Sequence, residues 1–264
     1  MNSLIRILAV ASNTFRESAR QRAFIGLLLG ALILVFSSLL VSELVVYDQQ
    51  RRVVQDFGLF FISFAGVVIA VIVGVLLVYK ELERKTIYSL LSKPLFRYEF
   101  LLGKYIGMLL VLLIGTVVLS GAWFLVLFVR DVPVRLVFLK AVLLIFGELS
   151  IVSAVAILFS SFSTPVLSGI FTFGIFVVGR QVYFIDELLT ASKGLFVTAP
   201  QIRPLGEAVT RIFPDLSLFD VAREILLEVE VSWLYVAQSL AYALCYVVIL
   251  IALATLVFQR RDFV

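Results

Sequence analysis

Residues 57–79 read FGLFFISFAGVVIAVIVGVLLVY, with no charged side chain from Phe57 to Tyr79. At 1.5 Å per residue a helix of this length covers roughly 35 Å, enough for the ~30 Å hydrocarbon core of a bilayer. Such a helix is apolar on every face, which water does not tolerate and lipid does. Five other runs have comparable length and composition: 23–42, 105–129, 136–159, 166–184 and 233–258. All six prolines, Pro94, Pro133, Pro165, Pro200, Pro204 and Pro214, fall outside the six runs. Unbroken spans need that, because lipid cannot replace the backbone hydrogen bond that an interior proline removes. The run 23–42 follows a polar stretch and lacks a small-residue cleavage site, so it is expected to be retained. The expected fold is an all-α polytopic membrane protein, a single six-span domain over residues 1–264.

Composition agrees. The 264 residues are 62% apolar and 15% charged, against ~45–50% and ~25% for soluble domains. Histidine is absent, which excludes histidine-based triads, zinc–histidine sites and histidine proton relays. Cys245 is the sole cysteine, so no intrachain disulfide or cysteine cluster exists, and its apolar surroundings point to simple packing. No catalytic, cofactor-binding or metal-binding residues are expected.

Lysine and arginine concentrate in 1–22, 80–104, 160–165 and 259–264, whereas acids exceed bases in the alternate connections. The asymmetry predicts both termini in the cytoplasm of a multi-pass inner (plasma) membrane protein. Tyr79 and Tyr105 then mark the inner interface, and Tyr183, Trp233 and Tyr235 the outer one. Within 1–22, Leu4, Leu8, Ala11 and Phe15 recur at helical spacing opposite Arg6, Asn13, Arg16 and Arg20, the pattern of a helix lying along the membrane. The outer segment 185–232 is too long for a plain loop. From Pro214 onward, Leu218, Ala222, Ile225 and Val229 predict a short amphipathic helix. The stretch with Pro200 and Pro204 is expected to be irregular.

The loop KELERKTIYSLLSKPLFRYEFLLGK (80–104) mixes charge with Ile87, Leu90, Leu91 and Leu95. Pro94 would end a short helix there. Such an element suits docking into a groove on a partner; a solvated interhelical loop with anchoring lysines remains open on pattern alone. The loop resembles the first cytoplasmic loop of ABC-2 transporter permeases. The matching residues are Glu81 or Glu83, Thr86-Ile87, Leu90-Leu91-Ser92-Lys93-Pro94, Arg97, Glu99 and Gly103-Lys104, with Lys85 where the family often has glycine. A second likeness is Phe213-Pro214-Asp215-Leu216 followed by Phe219-Asp220. Within the family the chain looks closest to permeases that serve nitrous-oxide-reductase maturation.

This resemblance implies two permease subunits, the second a copy or a homologue, resting on cytoplasmic ATP-binding-cassette ATPases that supply the ATP and Mg chemistry. A coupling helix at about Glu81 to Lys93 and an interface helix at Leu4 to Arg22 would relay ATPase motion. The coupling residues implied are Glu81, Glu83, Arg84, Lys85, Thr86, Arg97 and Glu99. The chain itself has no Gly-x-x-x-x-Gly-Lys-[Ser/Thr] and no soluble region large enough for a nucleotide-binding domain, so it is not expected to be an enzyme. Membrane lipid is an expected partner and nucleic acid is not.

Three ionisable residues lie in the spans. Lys140, near the start of span four, is expected to snorkel to the surface, and Arg180 near the outer end of span five has the same option. Glu148 lies roughly 17 Å from the inner end of span four, and Arg180 about 22 Å from the inner face. An ionisable group at such depth is a functional candidate by default. Glu148 either pairs with Arg180, faces the translocation route, or is protonated and merely joins helices. Gly26 and Gly30 form a small-x-x-x-small pair suited to close packing within or between subunits. The other function classes compatible with the sequence are an ion-coupled secondary transporter, a membrane scaffold for assembly of an extracytoplasmic enzyme, and, last, a membrane-embedded enzyme.

Overall fold

A computed structural model describes residues 3–46, 49–83, 96–191 and 200–259, with the backbone alone for 78–83 and 200. Regular structure among the described residues is entirely helical. Helix α1 (Ser3–Ala19) precedes α2 (Arg22–Glu43), α3 (Gln50–Glu83), α4 (Arg97–Val129), α5 (Leu136–Ser160) and α6 (Pro165–Thr190). The short helices α7 (Arg203–Ile212) and α8 (Ala222–Leu226) lead to α9 (Trp233–Gln259). Six of these, α2 to α6 and α9, are long and apolar enough to cross a membrane.

Three spans run past their expected ends. Helix α3 starts at Gln50 rather than Phe57, α4 at Arg97 rather than Tyr105, and α6 continues to Thr190. Hydropathy marks charged residues as outside the span, yet in α4 Glu99 and Lys104 are buried in the protein. Pro165 stands at the first position of α6, where its missing N–H has no intrahelical acceptor to lose.

Helix α5 occupies the centre and touches α3, α4, α6 and α9. Its buried residues, among them Leu144, Ile145, Leu149, Ile151, Val152 and Val155, surround the helix, which explains its lack of an amphipathic pattern. Helices α2, α6 and α9 are peripheral and leave apolar faces open, with Ile33, Leu40, Val166 and Leu244 all exposed. Surface of that kind is covered by lipid or by another subunit. Gly26 and Gly30 lie on this open face of α2 with nothing near them, so close packing within the subunit is not their role. Cys245 also faces outward on α9 rather than packing in the core.

Close helix contacts depend on glycine at particular places. The ring of Trp123 on α4 lies against Gly58 on α3, where an added Cβ would sit 2.0 Å from ring atoms. The ring has no solvent exposure; its Nε1–H donates to Val54 O at 3.1 Å, and Phe138 packs edge-on at 5.2 Å. A ring held from three sides cannot retreat. Gly58→Ala is expected to cost about 1–3 kcal/mol by overpacking, measured as lowered thermal stability in detergent; unchanged stability would show that Trp123 has room to move.

Three local expectations are corrected. Tyr105 is an internal strut and not an interface anchor: its side chain is buried and its Oη donates to Ser150 O at 3.2 Å. Residues around Pro204, expected to be irregular, form α7, with Pro204 in the first turn. The continuous helix expected after Pro214 is instead a 3-10 turn, Ser217–Phe219, and the five-residue α8. Asp215 Oδ1 accepts from Ser217 N at 3.0 Å and Asp220 Oδ1 from Ala222 N at 3.1 Å. These local side-chain acceptors compete with helix formation.

Candidate functional site

The segment from Phe213 to Asp220 does not stay at the surface. Pro214, Leu216 and Phe219 are buried. Leu216 N–H donates to Gly179 O at 3.0 Å, Asp215 N–H donates to Tyr242 Oη at 2.8 Å, and Tyr235 Oη donates to Leu218 O at 2.7 Å. Two glycines make the room. A Cβ on Gly179 would lie 2.8 Å from Pro214 O, and one on Gly147 would lie 2.9 Å from both Phe219 and Leu240. Gly147 is eleven residues into α5, so the Phe219 ring reaches roughly 16 Å down that helix. The segment is a plug seated between α5, α6 and α9.

Its last residue meets the buried charges. Arg180 on α6 donates through Nε to Glu148 Oε1 at 2.7 Å and through Nη2 to Glu148 Oε2 at 3.0 Å. The same Nη2 donates to Ser63 Oγ on α3 at 2.8 Å, and Ser63 Oγ donates to Glu148 Oε2 at 2.9 Å. Nη1 turns the other way, to Asp220 Oδ2 at 2.5 Å. Glu148 has no solvent exposure and the Arg180 side chain 23%. Glu148 is therefore fully, and Arg180 largely, removed from solvent, and both are answered by fixed partners, the condition under which a buried ion pair is tolerated. A cavity of about 80 Å³ adjoins the cluster, lined in part by Asp56, Ser63, Arg180 and Asp220. One guanidinium thus holds α3, α5, α6 and the plug together. Arg180 does not snorkel to the surface; Glu148 is its partner.

Ser63 and Asp220 carry no sequence signal of this role. Serine is an ordinary span residue, and Asp220 gave a clue only through its place in the Phe-Asp resemblance. Lys140 is half-buried: its Nζ donates to Val231 O at 2.7 Å and lies 4.8 Å from the Trp233 ring centre.

A second constellation gathers at the end of the bundle that carries the N-terminus. Helix α1 lies across α4 and buries Ala11, Thr14 and Ser18 against it, while Leu4 and Leu8 stay exposed. The backbones approach closely because Gly103 and Gly107 are one turn apart. A Cβ on Gly103 would lie 2.6 Å from Val10 Cβ, and one on Gly107 2.6 Å from Ala11 O. Arg6 on α1 reaches Glu99 on α4 at 3.3 Å, and Glu99 Oε2 also accepts from Phe96 N at 3.1 Å. Arg97 Nη1 donates to Phe258 O at 2.9 Å and Gln259 O at 2.7 Å, placing a cation on the last carbonyls of α9 where the helix dipole favours it. The start of α4 therefore joins the N-terminal helix to the end of the last span.

Of the seven residues implied as coupling residues, Arg97 and Glu99 stand in this collar. Glu81 and Glu83 belong to the last turn of α3. Arg84, Lys85 and Thr86, like the rest of the expected coupling helix as far as Lys93, lie outside the described residues, as does the side chain of Tyr79.

A family model described as ABC-2 family transporter protein matches residues 8–263. The chain belongs to the ABC-2 transporter permeases. None of the curated proteins matches it. The match runs from within α1 to beyond the end of α9, so the six spans, the plug and the collar residues Arg97 and Glu99 fall inside the family unit, while Arg6 lies just before it. Membership makes the chain the multi-pass membrane component of a transporter, and this family does not hydrolyse ATP itself. It separates the permease from the ion-coupled carriers and assembly scaffolds that its composition also allowed.

Proposed function

We propose that the permease forms half of the translocation pathway of an ATP-driven exporter, paired with a second copy or a homologue and driven by two cytoplasmic ATPase subunits. ATP and Mg are bound by those subunits. The single domain divides into an interface region (1–22), the coupling loop (80–104), six spans and an outer segment (185–232). The observation that carries this reading is the collar. At one end of the bundle Glu99 is tied to α1 and Arg97 to the end of α9, and the chain between α3 and α4 departs and returns there. A push on that loop is handed at once to the first and last elements of the permease. The excess of Lys and Arg on the same segments favours a cytoplasmic collar.

The buried cluster has the complementary role. Arg180 keeps the plug and three spans in one arrangement, and its bond to half-exposed Asp220 is the link most readily broken when the pathway opens. This is a two-state device biased by differential contacts with the nucleotide-loaded ATPases. Membership of the nitrous-oxide-reductase-maturation branch is supported by the loop resemblance and is tested by loss of that enzyme's activity in a strain lacking the permease.

The main test is co-purification in mild detergent with the candidate ATPase, followed by ATPase assays in liposomes. Recruitment of the ATPase, with stimulation that depends on Arg84 and Arg97, is expected. Failure to recruit it would overturn the reading. An impermeant amine reagent is expected to modify Lys85 and Lys93 from the cytoplasmic side only; modification from outside would place the loop beyond the ATPase.

A further inference from the structure

At the end of the bundle opposite the collar, an open cavity of about 640 Å³ lies between the start of α3, the α4–α5 connection and α8. That volume is within the roughly 300–1,000 Å³ of small-molecule sites. Arg51, Arg52 and Arg135 line it on the polar side; Phe57, Phe138 and Leu227 supply apolar wall. Arg135 is engaged by Glu228 at 3.1 Å. Of the other described arginines of this end, Arg130 bonds Glu43 and Leu39 O, and Arg203 and Arg211 bracket Glu207; Arg223 on α8 has no ion pair among the described residues but does not line the cavity. Within the cavity Arg51 and Arg52 differ from Arg135. Among the described residues neither has an ion-pair or hydrogen-bond partner.

Both are exposed, and their position favours a negative partner. Both sit in the first turn of α3, a helix with no acid in that turn, where unsatisfied N–H groups and the helix dipole already favour negative charge. Two guanidiniums added to that field call for an anion. The carboxylates within reach do not supply it. Two carboxylates line the cavity: Glu228 is taken by Arg135, and Asp56, one helical turn along from Arg52, makes no ion pair with either arginine among the described residues.

We infer that this cavity binds the phosphate head group of an anionic phospholipid. The head group sits on Arg51 and Arg52, which offer planar, forked donors suited to phosphate oxygens. The lipid's apolar part follows Phe57 and exposed Leu227. Charge and shape favour a lipid over a free anion: half of the lining is hydrocarbon, which inorganic phosphate has no use for, and the cavity opens at the end of two membrane-crossing helices. The site is separate from the collar, and it shares Asp56 with the small cavity beside the ion-pair cluster.

The test uses the full chain in phosphatidylcholine nanodiscs doped with phosphatidylglycerol, with bound lipid counted by native mass spectrometry after delipidation. Preferential retention of phosphatidylglycerol is expected. The double variant R51Q/R52Q is expected to weaken it about thirtyfold, the weight of two arginines at an anionic surface. R211Q, outside the cavity, is expected to leave it unchanged. Both residues are exposed, and an unaltered gel-filtration profile and melting temperature check that the variant is folded; R51Q alone, with an intermediate loss, serves should the double variant misfold. Equal retention of the two lipids by the native chain would overturn the inference, as would undiminished retention by R51Q/R52Q. Displacement of phosphatidylglycerol by millimolar inorganic phosphate would equally overturn it, by making the site one for a free anion.

Discussion

Replacing Arg180 by methionine is expected to destabilise the permease by about 3–5 kcal/mol, the cost of leaving one member of a buried ion pair without the other. Glu148 has no solvent exposure, and the two hydrogen bonds it receives from Arg180 are 2.7 and 3.0 Å. Without the guanidinium only Ser63 still donates to it. The loss of the Asp220 link adds little, since Asp220 is 43% exposed and water screens it. The double variant E148L/R180M should recover most of the loss. Two apolar side chains then replace two charges, and the remaining penalty is the Ser63 hydroxyl, about 1–3 kcal/mol. Thermal unfolding of the two single variants and the double variant in one detergent gives the cycle; losses that simply add would show that the pair is not the unit described. Stimulated ATPase turnover is the second readout. An E148Q protein that is stable and fully coupled would reduce the cluster to a structural staple.

Glu99→Ala is expected to uncouple the permease from its ATPase while leaving the spans assembled. The Glu99 carboxylate joins α1, through Arg6 at 3.3 Å, to the first turn of α4, through Phe96 N. Removing it leaves α1 held by packing over Gly103 and Gly107. ATPase stimulation should fall about tenfold, in the range of ordinary allosteric couplings. E99Q keeps an acceptor for Phe96 N–H and should retain part of the stimulation. Gly107→Val attacks the same joint by other means, because a Cβ there would lie 2.6 Å from the backbone oxygen of Ala11. If E99A and G107V both retain full stimulation, α1 is not part of the drive train.

The spans were legible because lipid imposes a length and a polarity that the side chains cannot evade. Glu148 and Arg180 were legible for the same reason: a charge at that depth is conspicuous. Their partners were not. Ser63 is one hydroxyl in an apolar run, and Asp220 is thirty-six residues beyond the end expected for span five. Nothing local distinguishes either from a solvated residue. The outer segment was misread twice by one habit, taking proline as irregular and apolar spacing as helical. Pro204 fits the first turn of α7, and Asp215 and Asp220 divert the backbone that Leu218, Ala222 and Ile225 would otherwise wind into a helix.

What the order of residues settles without help is the number of crossings and the want of any nucleotide-binding apparatus of its own, since both follow from chain length, hydropathy and spacing. Folding alone decided which glycines become notches, which charges meet, and that the Pro-Asp segment sinks into the bundle. Those outcomes depend on distances between residues tens to more than a hundred positions apart. Such distances arise only when helices pack, and a pair such as Ser63 and Arg180 has no meaning until α3 and α6 stand side by side.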